Sequence, residues 1–224
     1  MIAHPIAKPA PVVIKVGGSL LDLPQLPDRL AHLLATVRQQ QGLPVLISGG
    51  GKIVDEIRRL DSLHSWSSTQ SHELAIRAME LTAHLLKELL SNKNACVVSC
   101  VPDIQNAMAG GLVPIVAPWS ILHIDERSCP ELALPHSWDT TSDSIAGRIA
   151  TLLNAQAVIL AKSTLPPAGC SLEFAAQLGI VDPILPQICN PGLRVAICNL
   201  RDETIQIRWL PDSRSTNRPP SGPV

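Results

Sequence analysis

The chain has 224 residues, of which 46% are hydrophobic and 17% charged, and its formal net charge is −1. This length is enough for one large α/β domain or two small ones. The composition lacks the basic excess of a surface that binds nucleic acid or anionic membranes. It also lacks the aromatic residues that stack on the bases of single-stranded nucleic acid. Residues 1–11 lack the features of a signal peptide, and no apolar run reaches the roughly 20 residues that span a bilayer, so we expect a cytoplasmic protein without nucleic-acid or membrane partners.

Strands and helices are predicted to alternate along the chain, because short apolar runs favour buried strands and a 3.6-residue apolar period favours helices. In chain order we predict a strand at 12–16, a helix at 26–41, a strand at 44–48, a turn and helix at 49–60, a long helix within 67–92, strands at 95–101 and 112–117, a helix at 143–154, and strands at 157–162, 194–199 and 204–210. The long helix has Leu74, Ala78, Leu81, Leu85 and Leu89 on one face. This alternation predicts an α/β fold with a mainly parallel sheet and helices on both of its faces.

The end of the chain differs in composition from the rest. Residues 211–224, PDSRSTNRPPSGPV, are rich in Pro, Ser and Arg and almost without apolar residues. We therefore predict a single domain over residues 1–210 and a disordered tail over residues 211–224.

Glycine clusters follow the first two predicted strands, as Gly17-Gly18-Ser19 and as Gly49-Gly50-Gly51. Glycine lets a ligand approach the backbone, and a turn that opens a helix presents free amides to an anion. Either cluster alone is compatible with a simple tight turn, and neither matches the Walker A or GxGxxG pattern. Two such turns at the carboxyl edge of a parallel sheet would nevertheless form a site for phosphates.

Two lysines end predicted apolar strands, Lys15 in the first strand and Lys162 in VILAK, which is followed by Ser163. Taken alone, Lys15 could be an edge-strand lysine that reaches solvent. A pair of lysines beside two glycine turns suits phosphoryl transfer, which depends on positioning and charge neutralisation. Asp143, at the start of a predicted helix, could hold both ammonium groups or could simply cap that helix.

Five segments in order, KVGGSLLD (15–22), LISGGGKIVDEIR (46–58), GGLVPIVAPW (110–119), WDTTSDSIAGRIA (138–150) and VILAKS (158–163), resemble the amino acid kinase superfamily. The resemblance implies a three-layer αβα sandwich, a homo-oligomer and Mg-ATP as phosphoryl donor. It implies that Lys15 and Lys162 stabilise the transferring group and that Asp143 orients them. Phosphate and nucleotide binding is implied for Gly17, Gly18, Ser19, Gly49, Gly50, Gly51 and Ser163.

The segment WD-x-TSDSIA, together with QLGIVDPILPQI (177–188), most resembles the kinases of methanofuran biosynthesis. That subgroup converts (aminomethyl-furanyl)methyl phosphate to its diphosphate for a cofactor of one-carbon metabolism. An amino-acid carboxylate kinase related to acetylglutamate kinase is an alternative. The loop 162–175, proline-rich with only Glu173 acidic, motivates a third hypothesis, a non-catalytic nucleotide- or ligand-binding protein on the same fold.

A phosphorylated amine requires cations for its phosphate and a carboxylate for its ammonium group. The candidates for acceptor binding are Lys52, Arg58 and Arg77 as cations and Asp55 or Glu73 as carboxylates. Each of them could equally be a solvated helix charge. The histidines are scattered along the chain, so we expect no metal ligated by side chains.

Overall fold

A single sheet of seven strands runs through the part of the chain that the computed structural model describes, residues 9–90, 94–190 and 192–211. The strands are β1 (Ala10–Val16), β2 (Gly42–Ser48), β3 (Ala95–Val98), β4 (Val113–Val116), β5 (Ala157–Lys162), β6 (Arg194–Asn199) and β7 (Ile207–Trp209). Their order in the sheet is β3-β4-β2-β1-β5-β6-β7, and every pairing is parallel except the antiparallel pairing of β7 with β6. The prediction of a mainly parallel sheet is confirmed.

Helices connect the strands and cover both faces of the sheet. They are α1 (Leu26–Gln39), α2 (Gly51–His64), α3 (Ser68–Leu89), α4 (Val101–Ala109), α5 (Pro118–Ser128), α6 (Ser142–Leu152), α7 (Leu172–Gln177) and α8 (Leu185–Ile188). Neighbouring residues of β1 face opposite sides, with Val13 in one apolar cluster and Ile14 in the other. A strand that is covered on both faces is apolar along most of its length, which explains the short apolar runs in the sequence.

Four of these helices, α4, α5, α7 and α8, are absent from the sequence prediction. Three of the four carry a proline in their first turn, where the missing N–H has no intrahelical partner to lose. The strand predicted at 95–101 is too long, because α4 already begins at Val101. Proline interrupts an apolar run in the sequence, yet here it marks the point at which a helix starts.

The leucine face of α3 faces away from the core. Leu74, Leu81, Leu85 and Leu89 are between 38% and 52% exposed, and only Ala78 of that set is buried. The long apolar side chains of α3 that pack into the core are Ile76, Met79 and Leu86. The helix is thus apolar on two sides, and the sequence pattern identified the exposed one.

Two further predictions concern membrane-spanning segments and the tail at residues 211–224. Among the described helices, none combines the length and the apolar character needed to cross a bilayer. The predicted disordered tail lies, apart from Pro211, outside the described residues, so it stays a prediction.

Candidate active site

The candidate site lies where the chain direction across the sheet reverses. From β1 the chain continues to β2 on one side, and later returns to β5 on the other side of β1. Open α/β sheets bind ligands at the carboxyl ends of strands at such a switch point. Lys15 lies near that end of β1 and Lys162 is the last residue of β5, so adjacent strands bring the two lysines together.

Both ammonium groups contact the carboxylate of Asp143. The Nζ of Lys15 lies 3.0 Å from Oδ1, and the Nζ of Lys162 donates a hydrogen bond of 2.6 Å to Oδ2. The side chains are 8%, 17% and 3% exposed for Lys15, Lys162 and Asp143. With all three groups ionised, the cluster retains one positive charge, which can be offered to an anion.

The protonation equilibria of the cluster reflect burial and these ion pairs. Burial by itself would raise the pKa of Asp143, but the charges of Lys15 and Lys162 and their hydrogen bonds hold that pKa below its usual value. Burial lowers the pKa of Lys162, although the charge of Asp143 opposes that shift. Asp143 is therefore a carboxylate at neutral pH and can act as an anchor for both lysines.

Asp143 is held in place by the first turn of α6. The helix is capped by the Oγ1 of Thr141, which accepts a hydrogen bond from the amide of Asp143. A second carboxylate, that of Asp182, accepts hydrogen bonds from the amides of Thr141 (3.0 Å) and Ser144 (2.9 Å). Capping is thus carried out by Thr141 and Asp182, and the Asp143 side chain is left for the two lysines.

The two glycine turns touch each other beside this cluster. A Cβ on Gly18 would lie 2.1 Å from the amide nitrogen of Gly51, and Gly51 has a φ of +54°. A Cβ on Gly49 would lie 3.4 Å from the Cε of Lys15. Side chains at Gly18 or Gly51 would force the turns apart, so glycine is needed for the close approach of the two loops.

Some of the amides in these turns are already used by the fold. The amide of Gly17 donates to the carbonyl of Ala161, and that of Gly49 donates to the carbonyl of Val16, both at 2.8 Å. Gly50 is the N-cap of α2, and no described side chain caps that helix. The uncapped amides and the positive end of the helix dipole at Gly51 are the groups that can bind an anion.

A network of polar side chains joins the loops after β1, β5 and β6. Arg201 donates to the carbonyl of Ser19 (2.7 Å), to Oδ1 of Asp22 (2.8 Å) and to the Oγ of Ser163 (3.3 Å). The two serine hydroxyls are 3.1 Å apart, and the Nζ of Lys52 lies 3.7 Å from Oδ2 of Asp22. The hydrogen bond from Arg201 holds the pKa of Asp22 below its usual value. Ser19 and Ser163 are thus neighbours in space, at the edge of the candidate site.

An open cleft of about 140 Å³ adjoins the glycine turns. Gly18, Gly49, Gly50 and Gly51 line it, together with Asp55 and Arg58 of α2. The guanidinium of Arg58 lies 4.7 Å from the centroid of the Trp138 ring, and the Trp138 Nε1 donates a 2.7 Å hydrogen bond to Asp61. Trp138 thereby fixes one wall of the cleft and positions Arg58 on it.

Arg77 and Glu73 do not line this cleft, so their roles as acceptor-binding residues stay predictions. The guanidinium of Arg77 lies over the ring of Trp119 at 4.0 Å from its centroid. Lys52 is also not among the lining residues, and its side chain is 88% exposed. For Arg77 and Glu73 the reason is helical geometry, because the side chains of α3 point in several directions and only one face of that helix meets α2.

Sequence reasoning assigned no role to Arg201, Trp138, Asp182 or Asp61. Trp138 and Asp182 lie in WDTTSD and GIVDPILP, which belong to the segments that carry the family resemblance. The sequence alone, however, indicates no role for either side chain. Arg201 and Asp61 reach their partners from 38 and 77 residues away in sequence. No local spacing can show such a contact.

The segments that build this site have counterparts in known proteins. Residues 10–164 match the amino acid kinase family. A [5-(aminomethyl)furan-3-yl]methyl phosphate kinase of Methanocaldococcus jannaschii is 29% identical over 150 residues, which cover 66% of this chain and 64% of that protein. The chain therefore matches somewhat less than two thirds of that relative's length.

Further similarities are more local or confined to the fold. An acetylglutamate kinase of Serratia proteamaculans is 44% identical over 54 residues, which cover 24% of this chain and 21% of that protein. The crystal structure of UMP kinase from Ureaplasma parvum superposes with a TM-score of 0.64 at 15% identity, over 88% of this chain and 93% of that one. The family match spans β1 through β5 and includes both lysines and both glycine turns. The chain belongs to the amino acid kinase family.

Proposed function

We propose that this protein is a kinase that transfers the γ-phosphoryl group of ATP to a phosphate monoester. The acceptor we favour is (aminomethyl-furanyl)methyl phosphate, which would become a diphosphate in the synthesis of a methanofuran-type cofactor. The observation that carries the proposal is the contact of Lys15 and Lys162 with Asp143, beside two touching glycine turns. Family membership and the aminomethylfuran phosphate kinase relative support it.

The cluster suits phosphoryl transfer because that reaction needs charge neutralisation more than bond-making groups. Lys15 and Lys162 present two ammonium groups to the transferring phosphoryl, and Asp143 prevents them from moving apart. An acceptor that is a phosphate monoester is already anionic, so no side chain has to remove a proton from it. The residual positive charge of the cluster would be most valuable in the transition state, where negative charge spreads over the transferred oxygens.

The nucleotide would be bound at the glycine turns and the polar network behind them. The uncapped start of α2 and the close-packed backbone at Gly18 and Gly51 fit an incoming phosphate chain. Ser19, Ser163 and Arg201 would contribute further donors at the same edge. The described residues hold no group of three or more His, Cys, Asp or Glu side chains suited to a metal ion. We therefore propose that Mg²⁺ binds chiefly through the phosphates of ATP, as is usual for this ion.

The acceptor would lie in the cleft between α2, α3 and the segment that begins at Trp138. Arg58 is the cation that lines it, and Asp55 is a lining carboxylate suited to an ammonium group. The roles of Lys52 and Arg77 as acceptor ligands find no support in the geometry. The local match to acetylglutamate kinase favours an amino-acid carboxylate as the second candidate acceptor.

We further propose that the protein is a cytoplasmic homo-oligomer. The exposed leucines of α3 support self-association, because four of them lie on one side of the helix. The cytoplasm is where ATP and small phosphorylated intermediates are available to such an enzyme.

The proposal is tested by two measurements on the wild type and on Lys15→Ala, Lys162→Ala and Lys87→Ala. Calorimetry with Mg-ATP reports nucleotide binding, and ADP release with and without the furan phosphate, an amino-acid carboxylate or no acceptor reports turnover. We expect acceptor-dependent ADP release by the wild type and roughly a 10²–10³-fold loss of kcat in each site variant. Lys87, in the last turn of α3, is the matched control and should retain full activity.

Two results would contradict the proposal at different points. Full activity of both Lys15→Ala and Lys162→Ala would remove these lysines from the reaction. A folded wild type that binds no nucleotide would favour a non-catalytic binding protein.

A further inference from the structure

The wall of the cleft contains a histidine that the proposed chemistry has not used. His72 lies in the second turn of α3, on the side that packs towards the core, and it is 5% exposed. It lines the cleft together with Ala75, Ile76 and Met79 of the same helix. An imidazole in this position is the most polar group on an otherwise apolar wall.

The ring of His72 has an unfilled hydrogen-bonding position. Its Nε2 is buried and has no hydrogen-bond partner among the described residues. Leaving such an atom unpaired destabilises the folded protein, and nearly all buried polar atoms in native proteins are paired. The ring itself is well fixed, because it stacks on His136 with centroids 4.5 Å apart and planes within 19°. The ring is thus fixed in the wall of the cleft with one buried nitrogen unpaired, and a bound ligand could supply the missing partner.

The charge state of His72 narrows the kind of ligand group it can bind. Burial, together with the nearby charge of His136, lowers the pKa of His72 to about 4. The imidazole is therefore neutral at pH 7 and offers a phosphate no positive charge. A neutral ring nitrogen can accept a hydrogen bond from an ammonium group, whereas an imidazolium would repel it.

The other residues around the cleft also suit an acceptor that carries both a phosphate and an amine. Its glycine-lined part lies beside the Lys15 and Lys162 cluster and suits the phosphate. Asp55 also lines the cleft and can balance a positive charge that the neutral His72 cannot balance. Trp138 also lines the cleft, and the guanidinium of Arg58 lies over its ring.

We propose that the Nε2 of His72 accepts a hydrogen bond from a primary amine of the acceptor, and so selects amine-bearing phosphate monoesters. The proposal rests on the proposed function, since it assigns one contact to the acceptor of that reaction. It requires the imidazole proton to be on Nδ1. His72 is a specificity residue in this scheme, and the phosphoryl transfer itself stays with Lys15, Lys162 and Asp143.

The test compares two acceptors with three proteins. The acceptors are (aminomethyl-furanyl)methyl phosphate and the analogue that carries a methyl group in place of the aminomethyl group. The proteins are the wild type, His72→Phe, which keeps a flat ring without a nitrogen, and His72→Gln, which keeps a hydrogen-bond acceptor. For His72→Phe we expect the KM of the amine acceptor to rise about 10-fold or more, as a hydrogen bond to a charged group predicts.

The KM of the methyl analogue should be the same in the wild type and in His72→Phe, and kcat should change little for either acceptor. His72→Gln should recover part of the affinity for the amine. A structural role of His72 would instead raise KM or lower kcat equally for both acceptors, and that result would overturn the inference. Equal KM values for the amine acceptor in all three proteins would overturn it as well.

Failure of the proposed function gives a different pattern. In that case the wild type phosphorylates neither acceptor, and the inference about His72 falls with it. Wild-type turnover of either acceptor keeps the proposed kinase, and the comparison of the two acceptors then decides on His72 alone. As a second measurement, the imidazole nitrogen resonances of His72 should shift when the amine acceptor binds and stay in place with the methyl analogue.

Discussion

At the scale of single residues, the charge balance of the candidate site depends on Asp143. It is the carboxylate that contacts both Lys15 and Lys162, and all three side chains are largely buried. Removing one partner from a buried ion pair is costly, because the remaining charges lose their compensation. Two ammonium groups without a shared carboxylate would repel each other and separate.

We predict that Asp143→Asn, which preserves shape but removes the charge, lowers kcat by roughly 10²-fold. The affinity for Mg-ATP should change less, because the glycine turns and the start of α2 are untouched. Steady-state ADP release at saturating substrates measures kcat, and calorimetry measures nucleotide affinity. Asp139→Asn is the matched control, since Asp139 is an exposed carboxylate in the same segment. A variant that kept more than half of the wild-type kcat would exclude Asp143 from this role.

Several of these residues can be chosen from the amino-acid sequence alone. Lys15, Lys162 and the glycine turns stand at strand ends, and strand ends are predictable from apolar runs. For Asp143 the sequence leaves two interpretations open, capping the helix or holding the lysines. Thr141 and Asp182 supply the caps of α6. The contacts of Asp182 join residues 38 to 41 positions apart, so only the folded chain decides between the two interpretations.

At the scale of secondary-structure elements, α3 presents a leucine stripe to solvent. Leu74, Leu81, Leu85 and Leu89 are spaced by seven, four and four residues, which places them on one side of an α-helix. Such a stripe is unfavourable on a monomer and suits self-complementary packing across a two-fold axis. A second copy of this chain is the partner that we propose for it.

We predict that Leu85→Glu weakens or abolishes self-association, because it places a charge in the middle of the stripe. Sedimentation velocity on the wild type and the variant at equal concentrations measures the change. Leu178→Glu is the matched control, since Leu178 is also an exposed leucine and does not belong to α3. The outcome against the prediction is an oligomer of unchanged mass in Leu85→Glu, or a wild type that is already monomeric.

Elements were predicted best where their pattern is long and uninterrupted. The strands β1, β2, β5 and β6 and the helices α1, α2, α3 and α6 all appear close to their predicted positions. The sequence does not predict α4 and α5, because each has a proline in its first turn and is separated from a short strand by only one or two residues. The sequence shows the leucine stripe of α3. It does not show which side of that helix packs on the sheet, because both sides are apolar.

At the scale of the whole molecule, Asp182 connects the late part of the chain to the site. Its Oδ2 accepts hydrogen bonds from Thr141 and Ser144 at the start of α6, and its Oδ1 accepts one from the amide of Leu185 at the start of α8. A single buried carboxylate therefore joins the loop before α8 to the helix that carries Asp143. The position of Asp143 depends on residues that follow it by about forty places.

We predict that Asp182→Asn lowers the free energy of unfolding by about 1.5–3 kcal/mol, because buried amides and hydroxyls lose a charged acceptor. It should also lower kcat while the residues that contact substrate remain intact. Urea unfolding and ADP release measure the two effects. Asp28→Asn, at an exposed position of α1, should stay within about 0.5 kcal/mol of the wild type. Unchanged stability and kcat in Asp182→Asn would show that the connection is dispensable.

By itself, the sequence determined the α/β class, the order of the main strands and the residue types gathered at their ends. These properties follow from local patterns of apolar residues and glycines, which act over a few residues. Only the tertiary structure decided which lysines meet which carboxylate, that Trp138 and His72 line the cleft, that Arg201 contacts Ser163, and that Arg77 does not line the cleft. Those outcomes depend on contacts between segments that are far apart in sequence, and such contacts are fixed by the packing of the helices on the sheet.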